Sequence, residues 1–250
     1  EKGATIATSP KEVATKSELI IIIVKDANAV KEISFESNGI TEGAHDGLIV
    51  ADMSTIDPLE SKQISERFLK NNINKLDIPV MGGPNVAISG ELVMMVSGDK
   101  KSFEQCRNIL EKIANKIFFL GDNGAAHSIK LAMNLQITML ALALSEGIML
   151  VEKTNIDPKK FIEILNSTYF KTGMSENKAF KMIDGKYDAT FTLKNLKKDI
   201  DTMLSSANSL ELELPMLEKA KQVYDDAANQ GFGEIDYTGI IAYMRKINKK

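Results

Sequence analysis

Leu19-Ile20-Ile21-Ile22-Ile23-Val24 is an unbroken run of six apolar residues, five of them β-branched. Such a run predicts a strand buried on both faces. Leu48-Ile49-Val50-Ala51-Asp52 predicts a second strand, and Phe118-Phe119-Leu120 closes a third. Helical patterns lie around them. Ser9 to Lys16 has Pro10 in its first turn, and Asp57-Pro58 opens a helix running to about Asn71. Ser102 to Ala114 carries Phe103, Cys106, Ile109, Leu110 and Ile113 on one stripe. Strands alternating with helices predict parallel pairing, so the first half, residues 1–119, is expected to be a layered α/β domain.

The second half, residues 120–250, changes character. From about Gly124 to Glu152 there is no proline, and Ile137 to Leu144 is almost wholly apolar. At ~1.5 Å per residue this is a helix on the order of 40 Å long. Lys130, Asn134, Gln136 and Glu146 interrupt it, which argues against a membrane span and for a helix buried inside the protein. Further helices are expected from Asp157-Pro158 to Asn166, Glu176 to Asp184, Leu193 to Ser206, and Pro215 to Ala228. The Lys-rich tail, Lys246 to Lys250, reads as a frayed end. No strand pattern appears after residue 120, so the second domain is expected to be all-α.

Composition narrows the function. Of 250 residues, 44% are apolar and 26% charged, and 31 Lys plus Arg against 34 Asp plus Glu gives a net charge of −3. Without a basic excess, nucleic acid is not an expected partner, nor is a membrane. One cysteine, Cys106, leaves no disulfide to form and suits a reducing, cytoplasmic setting; with only His45 and His127 beside it, no metal is expected. Charges at Lys11, Glu12 and Lys16 break any signal-peptide pattern.

Chemistry has three candidate places. His127, Lys130, Asn134 and Thr138, with Ser145 further on, form a polar stripe on the long helix. It reads either as a solvated face or satisfied polar network, or as a cleft carrying a Lys able to exchange a proton near neutral pH. Asp77-Ile78-Pro79-Val80-Met81-Gly82-Gly83-Pro84 ends a strand in two glycines, which serve either a tight turn or an approach of backbone N–H groups to a small anion. Met53-Ser54-Thr55 follows the second strand, where α/β sheets bind ligands, although Ser-Thr-Ile-Asp-Pro is also a helix N-cap sequence.

Together these segments resemble the β-hydroxyacid dehydrogenases, over residues 1 to about 246. Gly121 to Asn134 is similar to that family's Gly-x-x-Gly-x-x-x-x-x-Lys-x-x-x-Asn signature. The resemblance implies that Lys130 is the general acid/base and that Asn134 orients the substrate or Lys130. Asp77-Ile78-Pro79-Val80 with Gly82, Gly83, Ala87 and Gly90 resembles the substrate-binding segment, and Lys197-Lys198-Asp199 resembles the Lys-Asp motif. Met81, Gly82, Gly83 and Asp199 are thereby implied in substrate binding. Val24, Lys25, Thr55, Phe191 and Lys198 are implied in binding NADP or NAD. Gly231-Phe232-Gly233-Glu234-Ile235-Asp236 is similar to the tail of the glyoxylate and succinic semialdehyde reductase branch, which favours NADP. Met81 departs from the family's usual Ser and points to a longer or more apolar aldehyde.

The resemblance therefore implies a Rossmann-type dinucleotide-binding domain followed by an all-α domain. The implied reaction is hydride transfer between NAD(P)H and a small aldehyde or keto acid, in a homo-oligomer, dimer or tetramer. A catalytically silent dinucleotide-binding or interaction protein on the same fold is the alternative. Gly-x-Gly-x-x-Gly, which opens members of the family, is not in the sequence; an upstream strand-turn-helix carrying it is expected. Without that unit, Leu19 to Val24 is expected to have an unpaired edge or a different neighbour.

Overall fold

The computed structural model describes residues 3–248; Lys249 and Lys250 of the Lys-rich tail lie outside the described residues, as do Glu1 and Lys2. The chain divides into two compact units, Glu1–Leu131 and Ala132–Lys250.

In the first unit, capping and β-branching set the element boundaries. Helix α1 (Pro10–Thr15) starts on Ser9, whose Oγ accepts the Glu12 N–H at 3.2 Å. Strand β1 (Leu19–Ile22) leads to α2 (Ala27–Phe35), capped by Asp26. Strand β2 (Ile49–Asp52) leads to α3 (Pro58–Leu69), capped by Asp57, and then β3 (Asn74–Asp77). Then follow β4 (Val80–Met81), α4 (Pro84–Ile88), β5 (Leu92–Gly98), α5 (Lys100–Leu110) and β6 (Ala114–Phe119). The sheet order is β1-β2-β3-β5-β4, with β6 on the other side of β5. Strands β1, β2 and β3 are parallel, whereas β3 and β4 run antiparallel to β5, so the sheet is mixed rather than wholly parallel.

Strand β2 is buried on both faces because its side chains alternate between two cores. Val50 joins Ile20, Ile22, Ile64 and Phe68; Ile49 and Ala51 join Leu76, Met94, Val96 and Phe103. The six-residue run at Leu19 behaves differently from expectation. It forms four residues of strand with alternating burial, and Ile23 is 69% exposed. The reason is its position: among the described residues β1 pairs only with β2, and an open groove of about 460 Å³ lines its other side, walled by Thr8, Ser9, Pro10 and Ile20 to Val24. Helix α5 also differs from its expected span. Asp99 accepts the Ser102 N–H at 2.7 Å and starts it earlier, while Ala114 already belongs to β6, and Ile109 faces outward at 51% exposure.

The long helix α6 (Ala125–Lys153) begins in the first unit and continues into the second. It is not buried all round. Ile129, Met133 and Leu150 are exposed, and it is the polar stripe that faces inward: His127, Asn134, Thr138 and Ser145 are buried. Thr138 and Ser145 satisfy their hydroxyls on the carbonyls of Asn134 and Ala141, one turn back. The second unit adds α7 (Pro158–Asn166), α8 (Gly173–Asn177), α9 (Ala179–Asp184), α10 (Leu193–Ser209), α11 (Pro215–Ala227) and α12 (Ile240–Ile247). The helix expected from Glu176 to Asp184 is broken at Lys178, because the capping box of Thr172 and Ser175 fixes α8 in its own register. Lys246, expected in a frayed tail, belongs to α12, whose Ile240, Ile241, Tyr243 and Met244 are buried. A single Thr192–Asp236 bridge is the only strand-like pairing of this unit among the described residues.

Candidate active site

The carboxyl ends of β1 and β2 are tied together by one serine. The Ser54 N–H donates to Asp52 Oδ1 at 3.0 Å, and Ser54 Oγ accepts the Val24 N–H at 3.0 Å. The α3 N-cap is Asp57, which accepts from Leu59 and Glu60, so Ser54 and Thr55 belong to the loop after the strand rather than to the helix start. Lys25 is exposed beside Asp26 at 3.8 Å. Val24, Lys25 and Thr55 thus lie in the two loops at the end of a parallel pair, where α/β sheets receive ligands.

At the end of β4, Lys130 Nζ donates to the Val80 carbonyl at 2.8 Å and lies 3.2 Å from Met81 Sδ. The glycines that follow have different reasons to be there. Gly82 has φ +132°, and a Cβ on it would lie 2.7 Å from Leu92 and 2.8 Å from Val86, so the turn itself demands glycine. A Cβ on Gly83 would meet nothing within 4 Å.

A buried charge cluster lies on β3 ahead of this turn; of its members the sequence reading missed Lys75 and named Asp77 only as the start of the segment that resembles the substrate-binding one. Lys75 and Asp77 sit two apart on β3, hence on one face, and both are inaccessible. Lys75 Nζ donates to Asp77 Oδ1 and, at 2.8 Å, to Ser61 Oγ; Asp52 Oδ2 lies 3.6 Å away. Asp77 accepts from Ser61 (2.6 Å), Ser97 (3.0 Å) and the Gly124 N–H at the head of α6 (2.6 Å). His127 Nε2 is 3.5 Å from the same carboxylate. Burial pushes the Asp77 carboxyl upward, but Lys75, His127 and the Gly124 N–H outweigh it and hold it well below the usual carboxylate range. Nothing but its alternation within a strand could have marked Lys75, since Asn74-Lys75 reads as surface.

In the second unit, Asn134 Nδ2 donates to Asp199 Oδ2 at 2.7 Å, and Lys198 Nζ is 2.6 Å from Asp199 Oδ1. Asn134, Lys198 and Asp199 therefore come together. Phe191 lies in the loop before α10, its ring edge-on to Tyr237 at 5.9 Å.

Residues 1–121 match the NAD binding domain of 6-phosphogluconate dehydrogenase, and residues 124–244 match the NAD-binding domain of NADP-dependent 3-hydroxyisobutyrate dehydrogenase. A probable 3-hydroxyisobutyrate dehydrogenase of Dictyostelium discoideum is 30% identical over 98% of this chain and 79% of its own length. The chain belongs to the β-hydroxyacid dehydrogenase family. Relatives of this chain include NAD(P)-dependent hydroxyacid dehydrogenases, and the cofactor is NADP or NAD.

Other relatives are similar over almost the whole chain. Glyoxylate/succinic semialdehyde reductase 1 of Arabidopsis thaliana is 27% identical, covering 98% of this chain and 85% of that one. Cytokine-like nuclear factor N-PAC of Anopheles gambiae is also 27% identical, but this chain spans only 43% of its length. The solved 3-hydroxyisobutyrate dehydrogenase of Salmonella typhimurium superposes with a TM-score of 0.85 at 25% identity, over 94% of this chain and 82% of that one. The fold is the family's dinucleotide-binding domain followed by a helical domain. The groups at the carboxyl ends of β1 and β2 suit the cofactor chemically, because Thr55 and Lys25 are donors fit for ribose and phosphate oxygens.

Proposed function

We propose that this chain reduces a small aldehyde or keto acid to its hydroxy acid, reversibly, with Lys130 as general acid/base. The observation that carries the reading is the placement of the Lys130 ammonium, 2.8 Å from the Val80 carbonyl at the mouth of the diglycine turn. The nicotinamide supplies the hydride when bound. Lys130 then hands a proton to the carbonyl oxygen as charge grows there, and takes one back in the oxidative direction. Gly82 and Gly83 offer backbone N–H groups to a substrate carboxylate. Asn134 acts by holding Asp199, which also receives Lys198. Val24, Lys25 and Thr55 hold the cofactor; for Phe191 and Lys198 a cofactor contact is what the family resemblance implies. Met81, with its sulfur against the reacting ammonium, favours an aldehyde with a longer apolar chain.

The chain works as a homo-oligomer, a reading supported by the exposed Ile129, Met133 and Leu150 of α6; its one thiol, buried at Cys106, suits the cytoplasm.

The decisive experiment is NADPH and NADH oxidation against glyoxylate, succinic semialdehyde and longer aldehydes, with parent and Lys130→Ala. The variant is expected to lose about 10²–10⁴ in kcat with cofactor affinity nearly intact. Turnover within threefold of the parent would remove Lys130 as proton donor. Similarity to a protein named as a nuclear factor favours the second reading, a dinucleotide-binding interaction protein. It predicts NADPH binding with no oxidation by any of these substrates.

A further inference from the structure

The charge cluster ahead of the turn is larger than an ion pair needs to be. Four side chains of ionisable type, Asp52, Lys75, Asp77 and His127, are all inaccessible to solvent. Buried ion pairs are poor stabilisers, because desolvation offsets most of their attraction, and apolar side chains of similar volume commonly do as well. A lysine enclosed at the middle of a sheet therefore calls for another explanation, and its contacts supply one.

From the Lys75 ammonium two chains of polar contacts run in different directions, one opening with an ion pair and the other with a hydrogen bond. One reaches Asp52 at 3.6 Å, whose other oxygen accepts the Ser54 N–H, while Ser54 Oγ accepts the Val24 N–H. This chain fixes both loops at the carboxyl ends of β1 and β2. The other passes to Asp77 and from it to the Gly124 N–H at 2.6 Å. Ser97, which donates to Asp77, accepts the Ala126 N–H at 3.1 Å, and the Asn123 amide donates to the Lys75 carbonyl at 3.0 Å. This second chain fixes the first turn of α6. Six residues beyond Gly124 on that helix is Lys130, and three residues beyond Asp77 is the Val80 carbonyl that receives it. A closed ring results: Asp77 to Gly124, along the helix to Lys130, across to Val80, and back along β3 and β4.

We propose that Lys75 is a positioning residue. Its single buried ammonium sets both the loop Met53–Thr55 and the head of α6, and so the distance between the cofactor loop and the Lys130 ammonium. The catalytic part of this inference rests on the role given to Lys130 above; the structural part does not. Reacting groups displaced by about 1 Å lose on the order of 10²-fold in rate, so a group that fixes two loops at once reaches catalysis without touching substrate.

The test uses Lys75→Met, similar in length and uncharged, and Lys75→Met/Asp77→Asn, which removes both charges together and guards against a single variant that fails to fold. Amide exchange of the protein without cofactor or substrate is read first. Exchange at Ser54 and at Gly124 to Lys130 should quicken roughly tenfold or more in both variants, with β2 and β5 unchanged. Then kcat should fall about 10–100-fold in both, including the double variant with near-parental melting, while KM for the aldehyde moves less than threefold. A purely structural pair would instead regain kcat in the double variant together with its stability. The proposal is overturned if exchange at those amides is unchanged in a folded variant, or if kcat stays within threefold of the parent. Should the parent fail to oxidise NADPH with every one of the aldehydes, it is the dehydrogenase reading that fails, and the exchange experiment still decides whether Lys75 sets the two loops.

Discussion

Met81 sets a sulfur 3.2 Å from the Lys130 ammonium, where a hydroxyl would have offered a substrate carboxylate another donor. Thioethers are weak acceptors and pack against apolar groups, so the pocket beside Gly82 and Gly83 is poorer in polar groups than its glycines suggest. Met81→Ser should raise kcat/KM for glyoxylate relative to an uncharged longer aldehyde by roughly tenfold or more. Equal ratios for parent and variant would show that residue 81 does not select the substrate. Asp236 invites a different measurement. Its carboxylate accepts from Thr190 (N–H and hydroxyl), Lys178 and Thr238 (N–H and hydroxyl), all within 3.2 Å. Burial raises its pKa, yet the Thr238, Lys178 and Thr190 bonds outweigh burial and hold it below the usual range. A lowered folded pKa means stability that is complete above the unfolded value of about 3.9 and is lost as pH falls through the folded one. Asp236→Asn should thus cost about 2 kcal/mol, or roughly 4–8 °C in Tm, at pH 7. That gap should narrow only below about pH 4; a gap that already closes at pH 6 would mean another group is titrating.

At the scale of elements, the legible parts of the sequence were those with chemical punctuation. Asp57-Pro58 and Asp157-Pro158 start α3 and α7 where a capping carboxylate followed by proline requires. The hidden parts lacked it. Strand β5 is rich in methionine and carries no β signature apart from its valines, and α12 lies against a run of lysines that reads as solvated. The candidate site was legible as residue types, Lys130 and the diglycine among them, but not as a network. Lys75 is recognisable as buried only once β3 is known to be flanked by β2 and β5. The diglycine turn offers a clean separation of roles. Gly82→Ala should cost about 1–3 kcal/mol, since its left-handed φ and its Leu92 and Val86 neighbours leave no room for a methyl group. Gly83→Ala should leave Tm unchanged, and should lower kcat/KM if its N–H lies against substrate. Thermal melts of the two variants, read beside their kinetics, check both statements.

For the molecule as a whole, α6 runs across the point where the two units divide, Leu131 falling in one and Ala132 in the other. Ala126 and Leu131 are buried on its stretch in the first unit, and Ala141, Leu144 and Ile148 on its stretch in the second. Ala132 is exposed near the point where the units divide. Proline there removes a helical hydrogen bond and its ring clashes with the carbonyl one turn back, together costing about 3 kcal/mol or more. Ala132→Pro should therefore lower Tm by roughly 6–12 °C, against a change of a degree or two for Ala132→Ser at the same site. A proline variant melting with the parent would mean that α6 is not continuous there.

Lys75 lends itself to one further use. Amine-directed reagents acylate lysines at the surface readily, but an amine enclosed among β2, β3 and α3 becomes an accessible nucleophile only after those elements part. The yield of acyl-Lys75 with time, read by peptide mass spectrometry, is then a clock for opening of the first unit. It needs no optical probe, in a chain whose composition includes no tryptophan to serve as one.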